Sequence, residues 1–198
     1  AFVPPIPGAD LRGVHTLRTL DDALRLEREA VPGRLALVLG GGLLGLEAAA
    51  ALSSRGVRVV VIEVFDRLLP RQLDREGAAV LQERIEQGGL RIITGDSCTH
   101  VLGDGQAESC VLKSGQELRF DLMLVSAGAR SDIALAQRAG LACARGVVVD
   151  DHLRTSAPDV YAVGDVAEFQ GRVWGIIPAA LAQARVAAAQ LAGDDEAL

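Results

Sequence analysis

The segment Leu35-Ala-Leu-Val-Leu39, Gly40-Gly-Gly-Leu-Leu-Gly45, closed by Val57-Arg-Val-Val-Val-Ile-Glu63, decides how this chain folds. Leu35 to Leu39 is a continuous apolar run of strand length, bounded by glycines. That pattern marks a strand buried on both faces, as in a parallel sheet covered by helices. Leu43 to Arg55 is alanine-rich and built from good helix formers, and Gly56 stands where a glycine just past a helix C-terminus belongs. Val57 to Ile62 is a second, β-branched strand. Strand, helix and strand within about 30 residues make a βαβ unit with a right-handed crossover.

Toward the N-terminus, Phe2 to Gly13 carries Pro4, Pro5 and Pro7 and reads as an extended lead-in, with residues 1–11 as a linker. Thr19 to Asp22 cap a helix ending near Ala30, with Leu20, Ala23, Leu24 and Leu26 expected on one side; Pro32 and Gly33 stop it. Toward the C-terminus, Asp74 to Gln87 reads as a helix stopped by Gly88 and Gly89, and Leu90 to Thr94 as a strand. Thr99 to Val111 and Glu117 to Phe120 form an antiparallel excursion, turned at Gly103-Asp-Gly105 and Ser114-Gly115. Leu122 to Val125 is another buried strand, closed by Ser126-Ala-Gly128. A weak helix over Ile133–Ala139, strands over Val147–Val149 and Val160–Val163, and a helix over Ile176–Leu191 complete the reading. The fold class is α/β: a Rossmann-type parallel sheet with an antiparallel β excursion, followed by part of a second domain.

The chain has 198 residues, a formal net charge of -6, 49% hydrophobic and 23% charged residues. This composition excludes a disordered or collagen-like chain. An acidic protein lacks the basic face that phosphate neutralisation needs, so nucleic acid is not the expected partner. No run approaches the ~18 apolar residues of a membrane span, and no signal segment opens the chain. Cys98, Cys110 and Cys143 are dispersed, as are His15, His100 and His152. Neither a disulfide framework nor a zinc site is indicated, and a reducing, cytoplasmic compartment fits. The chain starts at Ala1 and its one methionine is Met123. Removal of a start methionine and excision from something longer both account for that.

Gly40-x-Gly42-x-x-Gly45 sits between a strand and a helix, with Leu43 and Leu44 at its variable positions. Gly40 permits the tight turn, Gly42 lets the backbone approach a pyrophosphate, and Gly45 lets the helix pack close to the strand. N–H groups at the helix start then meet phosphate charge. Glu63, roughly 20 residues on, is placed to accept hydrogen bonds from a ribose hydroxyl and to repel a 2′-phosphate, favouring NAD over NADP. Arg67 and Arg71 downstream would soften that preference. Glu47 lies about half a turn beyond the phosphates, facing a nicotinamide or simply solvated. Thr155-Ser-Ala-Pro-Asp-Val-Tyr-Ala-Val-Gly164-Asp165 brings a small residue and an acid to a strand's end, which suits close approach of hydroxyls or a turn in any sheet.

Leu17-Arg-Thr-Leu-Asp-Asp-Ala23, Gly40-Gly-Gly-Leu-Leu-Gly-Leu-Glu47, Ser126-Ala-Gly-Ala-Arg130 and Thr155 to Asp165 occur in an order that resembles the flavin-dependent pyridine nucleotide–disulfide oxidoreductase superfamily. The likeness is strongest to its ferredoxin reductase, rubredoxin reductase and nitrite reductase large-subunit branch. Gly171-Arg-Val-Trp-Gly-Ile-Ile-Pro178 with Gln183-Ala-Arg185 is similar to the nitrite reductase type. The resemblance implies NAD(H) and FAD as cofactors, with Gly40, Gly42 and Gly45 on the NADH pyrophosphate and Glu63 on the adenosine ribose. Glu47 would help place the nicotinamide against the flavin, and Gly128 would line the dinucleotide site. Gly164 and Asp165 would serve the flavin ribityl chain, and Trp174 and the helix start at Pro178 the isoalloxazine. A helix N-terminus there favours negative charge on a reduced flavin.

Two departures qualify the resemblance. No strand, glycine turn and acid for the FAD adenosine half precedes Arg34, and no redox cysteine pair stands out. The chain therefore resembles the middle of a longer reductase: residues 12–131 an NAD(H)-binding Rossmann domain, residues 132–198 the C-terminal portion of a FAD-binding domain. Such a piece is expected to bind NADH weakly and FAD poorly. NADH and a redox acceptor protein or domain are the implied partners. The competing readings are a non-catalytic nucleotide-binding module and a flavin-free dehydrogenase. The latter lacks a His or Tyr–Lys constellation, since Lys113 is the one lysine and lies in the antiparallel excursion.

Overall fold

Five parallel strands and a three-stranded antiparallel sheet organise residues 1–129 in the computed structural model, which describes residues 1–194 and 196–198. The elements follow in order: β1 (Val14–His15), α1 (Leu20–Glu29), β2 (Leu35–Leu39), α2 (Leu43–Ser54), β3 (Arg58–Glu63), α3 (Arg75–Gln87), β4 (Arg91–Thr94), β5 (Cys98–Leu102), β6 (Ser109–Leu112), β7 (Glu117–Arg119) and β8 (Leu122–Val125). The parallel sheet has the order β1-β8-β2-β3-β4, and β5-β6-β7 form the antiparallel sheet. The register runs Leu37 opposite Val60 and Met123, so three apolar runs stack at the centre.

Strand periodicity divides these runs between two cores. Ala36, Val38, Val59, Val61, Leu122 and Leu124 face α1 and α2 through Leu26, Ala49 and Leu52. Leu37, Leu39, Val60, Ile62, Met123 and Val125 face the opposite way, onto Val101, Cys110, Leu112 and Phe120. The antiparallel sheet thus covers the face that a second layer of helices would cover in a doubly wound fold. Residues 1–11 hold no helix or strand but are fixed to this unit. Phe2 N–H donates to the Gly128 carbonyl at 2.9 Å and Val101 N–H to that of Pro7 at 2.8 Å.

Helix α1 begins with a capping box, Thr19 and Asp22 each accepting from the other's backbone N–H. Its inward stripe is buried Leu26 and Ala30 with half-buried Ala23, not the expected Leu20 to Leu26 set; Leu20 and Leu24 are exposed. Positions 23, 26 and 30 keep one helical face toward the sheet, whereas Leu20 and Leu24 fall on the far side.

Residues 130–198 form the second unit, with α4 (Ala134–Arg138), β9 (Val147–Val149), β10 (Ala167–Phe169) and α5 (Ile177–Ala192). Its core gathers Val147, Val149, Leu153, Ala162, Ala167, Val186 and Ala187. The expected strand over Val160–Val163 does not form. Tyr161 makes one isolated bridge to Arg154, while Asp159 (φ 60°) and Gly164 (φ 75°) turn the backbone at both ends. The parallel partner of β9 is instead β10, which follows a 3-10 turn over Gly164–Val166. Among the described residues, no helix is long and apolar enough to cross a membrane.

Candidate functional site

A cleft of about 620 Å³ lies at the C-terminal ends of the parallel strands in the first unit, lined from the ends of β2 and β3, the start of α2, and the segments after β4 and β8. Open α/β sheets bind ligands at this edge. The glycine turn shapes its floor. Gly40 has φ 119°, and a Cβ there would overlap the Ser126 carbonyl oxygen. A Cβ on Gly45 would overlap the Gly40 carbonyl oxygen and lie 3.1 Å from its carbon, so α2 reaches the strand only because both positions lack side chains. Gly42 is different. As the N-cap of α2 it has an ordinary φ of -77°, and a Cβ there would meet no atom within 4 Å. The space Gly42 leaves opens on the cleft, and among the described residues no side chain caps the helix. The N–H groups of Leu43, Leu44 and Gly45 therefore have no intrahelical acceptor, which is the arrangement that holds an anion.

Glu63 ends β3, only 5% exposed, and lines the same cleft. Its two oxygens already have work: Oε2 accepts from Gly41 N–H at 2.6 Å and Oε1 from Phe65 N–H at 2.9 Å. The carboxylate therefore braces the glycine turn as well as facing the cleft, a duty the sequence did not disclose. Each oxygen keeps a second lone pair for a ligand hydroxyl. The two candidate arginines part company. Arg67 donates to the carbonyls of Pro70 and Leu73 and pairs with Asp66 at 3.0 Å, tying down its own loop. Arg71 is exposed and lines the cleft.

Leu43 and Leu44 line the cleft and are 58% and 72% exposed, large apolar residues held at its mouth. Gly128 (φ 95°) closes the opposite rim. Glu47 is exposed on α2 and takes no part in the lining. The cleft also gains Asp96, Ser97 and Cys98, which no motif flagged, because they arrive from the β4–β5 connection. Asp96 accepts from the N–H groups of Ser97 (2.8 Å) and Ser114 (3.2 Å). Burial alone would raise its carboxyl, but hydrogen bonds from Ser114, Ser97 and Lys113 outweigh that and hold it below the usual carboxylate range.

In the second unit, Gly164 N–H donates to Gln183 Oε1 at 2.7 Å, fixing the 3-10 turn to α5 through a side chain that is 2% exposed. The next residue, Asp165, keeps its carboxylate at the surface, and its carbonyl accepts from the Ser131 hydroxyl. Helix α5 starts with Pro178 in its first turn and, among the described residues, no side-chain cap. Trp174 and Ile176 stand exposed just ahead of it and Ile177 at its first position, with the Arg172 guanidinium 5.7 Å from the Trp174 ring centre. The uncapped helix start would favour negative charge, the exposed acid would accept from hydroxyls, and the unburied apolar side chains would pack on an aromatic ring.

A family model described as pyridine nucleotide-disulphide oxidoreductase matches residues 1–190. The chain is 38% identical over 195 residues to the nitrite reductase (NAD(P)H) large subunit of Klebsiella oxytoca, covering 98% of this chain and 20% of that one. It is 40% identical over 169 residues to the rubredoxin-NAD(+) reductase of Ectopseudomonas oleovorans, covering 85% and 44%. The ferredoxin reductase for the CYP199A2 system of Rhodopseudomonas palustris superposes with a TM-score of 0.90 at 33% identity, covering 98% and 50%. The chain thus spans between a fifth and about half the length of these relatives.

Proposed function

Since the chain belongs to the pyridine nucleotide-disulphide oxidoreductase family, we propose that it is the NAD(P)H-binding portion of a flavoprotein reductase. Residues 12–131 would hold the dinucleotide and residues 132–198 part of the flavin site. The observation that carries the reading is the bare Cα of Gly42, at an uncapped helix start that opens on the cleft. Backbone N–H groups there would hold the pyrophosphate without a basic side chain, the helix dipole adding to the attraction. Glu63 would accept from the adenosine ribose and oppose a 2′-phosphate, so NADH is the preferred donor. Arg71, on the rim, is the residue that would admit some NADPH.

FAD, when bound, would supply the hydride-accepting and electron-transfer chemistry. The chain's own contribution is placement. Asp165 would hold the ribityl hydroxyls, and Trp174 with the start of α5 would face the ring, a helix N-terminus there favouring negative charge. No side-chain acid or base would be required, since the chain's residues would act by binding and orientation. The acceptor would be nitrite or a small redox protein, and the compartment the cytoplasm.

Calorimetric titration with NADH, NADPH and FAD tests this. Saturable NADH binding, tighter than NADPH, is expected, and absence of any NADH binding refutes the reading. Flavin is expected to separate from the chain on gel filtration. Co-eluting flavin would show that residues 132–198 bind it unaided.

A further inference from the structure

Cys98 and Cys110 stand apart in the sequence, and the pairing of β5 with β6 brings them into one buried layer. Cys98 is opposite Leu112 and Cys110 opposite Val101, which makes the two cysteines diagonal neighbours on the face turned toward the parallel sheet. A β-bulge between Cys98 and His100 breaks the regular spacing at that point. Cys98 Sγ donates to the His100 carbonyl at 3.4 Å. Cys98 lines the cleft, whereas Cys110 is wholly buried behind it. The pair is therefore layered, with Cys98 at the cleft wall and Cys110 one diagonal step away in the same buried cluster.

Thiolates, not thiols, are the nucleophiles in such chemistry. The neighbouring Cys110 thiol lowers Cys98 from the usual thiol range, against the effect of burial. The same pairing, together with burial and the charges of Cys98 and Asp96, pushes Cys110 up. Cys98 is thus the group that ionises first, and it is also the one that faces the cleft.

We propose that Cys98 and Cys110 form an oxidisable thiol pair that opens on the cleft and takes a hydroperoxide as its oxidant. The Cys98 thiolate attacks the distal oxygen of the peroxide. An S–O bond forms, the O–O bond breaks, and the alcohol or water leaves with the proton, giving a sulfenic acid at Cys98. With Cys98 now a neutral sulfenic acid, its charge no longer opposes ionisation of Cys110; Cys110 gives up its proton as its sulfur attacks the Cys98 sulfur, and the new S–S bond expels the hydroxyl with that proton as water. Two thiols are oxidised by two electrons and one peroxide is reduced. Their diagonal placement on one face of the ladder supplies the proximity that the second step needs. Nothing in this depends on which ligand fills the cleft.

The test exposes the native chain to graded hydrogen peroxide, quenches with dimedone or iodoacetamide, and maps peptides by mass. The expected product is a Cys98–Cys110 crosslink lighter by two hydrogens, formed at least about tenfold faster than any oxidation of the half-buried Cys143. Cys110→Ala is expected to leave a dimedone-trapped sulfenic acid at Cys98, and Cys98→Ala to leave Cys110 unoxidised. Oxidation of Cys143 before Cys98 overturns the proposal. So does a Cys110 that oxidises as fast without Cys98, or a native chain inert at peroxide levels that oxidise the urea-unfolded chain. The wild-type map needs no variant, so the outcome stands even where an alanine variant folds poorly.

Discussion

Adding one methyl group at each of two neighbouring glycines separates the structural from the binding duty of the turn. In Gly45→Ala the new Cβ overlaps the Gly40 carbonyl oxygen, 3.1 Å from its carbon, and both atoms are backbone. Neither can rotate away, so α2 must slide outward and lose contact through Ala49 and Leu52 with the core on that face of the sheet. Overpacking of this kind costs about 1–3 kcal/mol, and a collision with fixed backbone belongs at the top of that range. Replacing a helical glycine by alanine returns about 1 kcal/mol. The net loss is about 2 kcal/mol, a fall in Tm of roughly 4–8 °C for a chain of this size. In Gly42→Ala the methyl enters open space at an ordinary φ, and only the N-cap preference is lost, about 0.5 kcal/mol. Its methyl would occupy the place of the pyrophosphate, and NADH affinity should fall at least about tenfold, or 1.4 kcal/mol. Thermal melts by circular dichroism and NADH calorimetry on both variants read the two effects separately. A Gly45→Ala chain as stable as wild type would refute the packing argument. A Gly42→Ala chain that binds NADH normally would refute the phosphate assignment.

Further substitutions probe the rest of the cleft. Glu63→Gln places an amide against two backbone N–H donors where two carboxylate oxygens now accept, and should cost about 1–3 kcal/mol in urea denaturation along with NADH affinity. Arg71→Ala should leave the urea midpoint unchanged while weakening NADPH by roughly threefold to tenfold more than NADH; Arg67→Ala, which frees the Pro70 and Leu73 carbonyls, should instead lower stability by about 1–2 kcal/mol. The depressed carboxyl of Asp96 stabilises the fold above the ordinary value near pH 3.9, and this contribution is lost as pH falls through the lower, folded value. Comparison of urea midpoints at pH 7 and pH 3 should therefore show a smaller acid loss in Asp96→Asn, and an unchanged slope would contradict the assignment.

The parallel sheet was legible because its strands are bounded apolar runs with little else they could become. Leu35–Leu39 and Leu122–Val125 are assigned identically from sequence and structure. β1 was not, because two residues carry no periodicity and Val14–His15 is a strand only through its partner β8. Val160–Val163 has strand composition, yet the turn residues at either end deny it a partner. At the candidate site, glycine spacing and the acid after β3 were readable because they are local. That Glu63 is already bonded to Gly41 and Phe65 was not, nor that Asp96 and Cys98 share its cleft. Those facts belong to chain segments joined by the sheet rather than by sequence. The cysteine pair is the plainest instance: dispersed along the chain, adjacent across a ladder.

The strand order has a consequence for synthesis on the ribosome. β8 lies between β1 and β2, so an interior strand of the sheet is the last of its strands to be made. Val14 must wait for Met123, about a hundred residues later, before it pairs at all. Until then β2, β3 and β4 can assemble with α2, but the antiparallel layer has only part of a floor to settle on. A nascent chain stalled before Leu122 would present the unsatisfied edge of β2, together with the apolar faces of Leu37 and Val38, to whatever is near. Chaperone demand for this protein should accordingly peak in the interval between emergence of β2 and emergence of β8, and subside once that strand closes the gap.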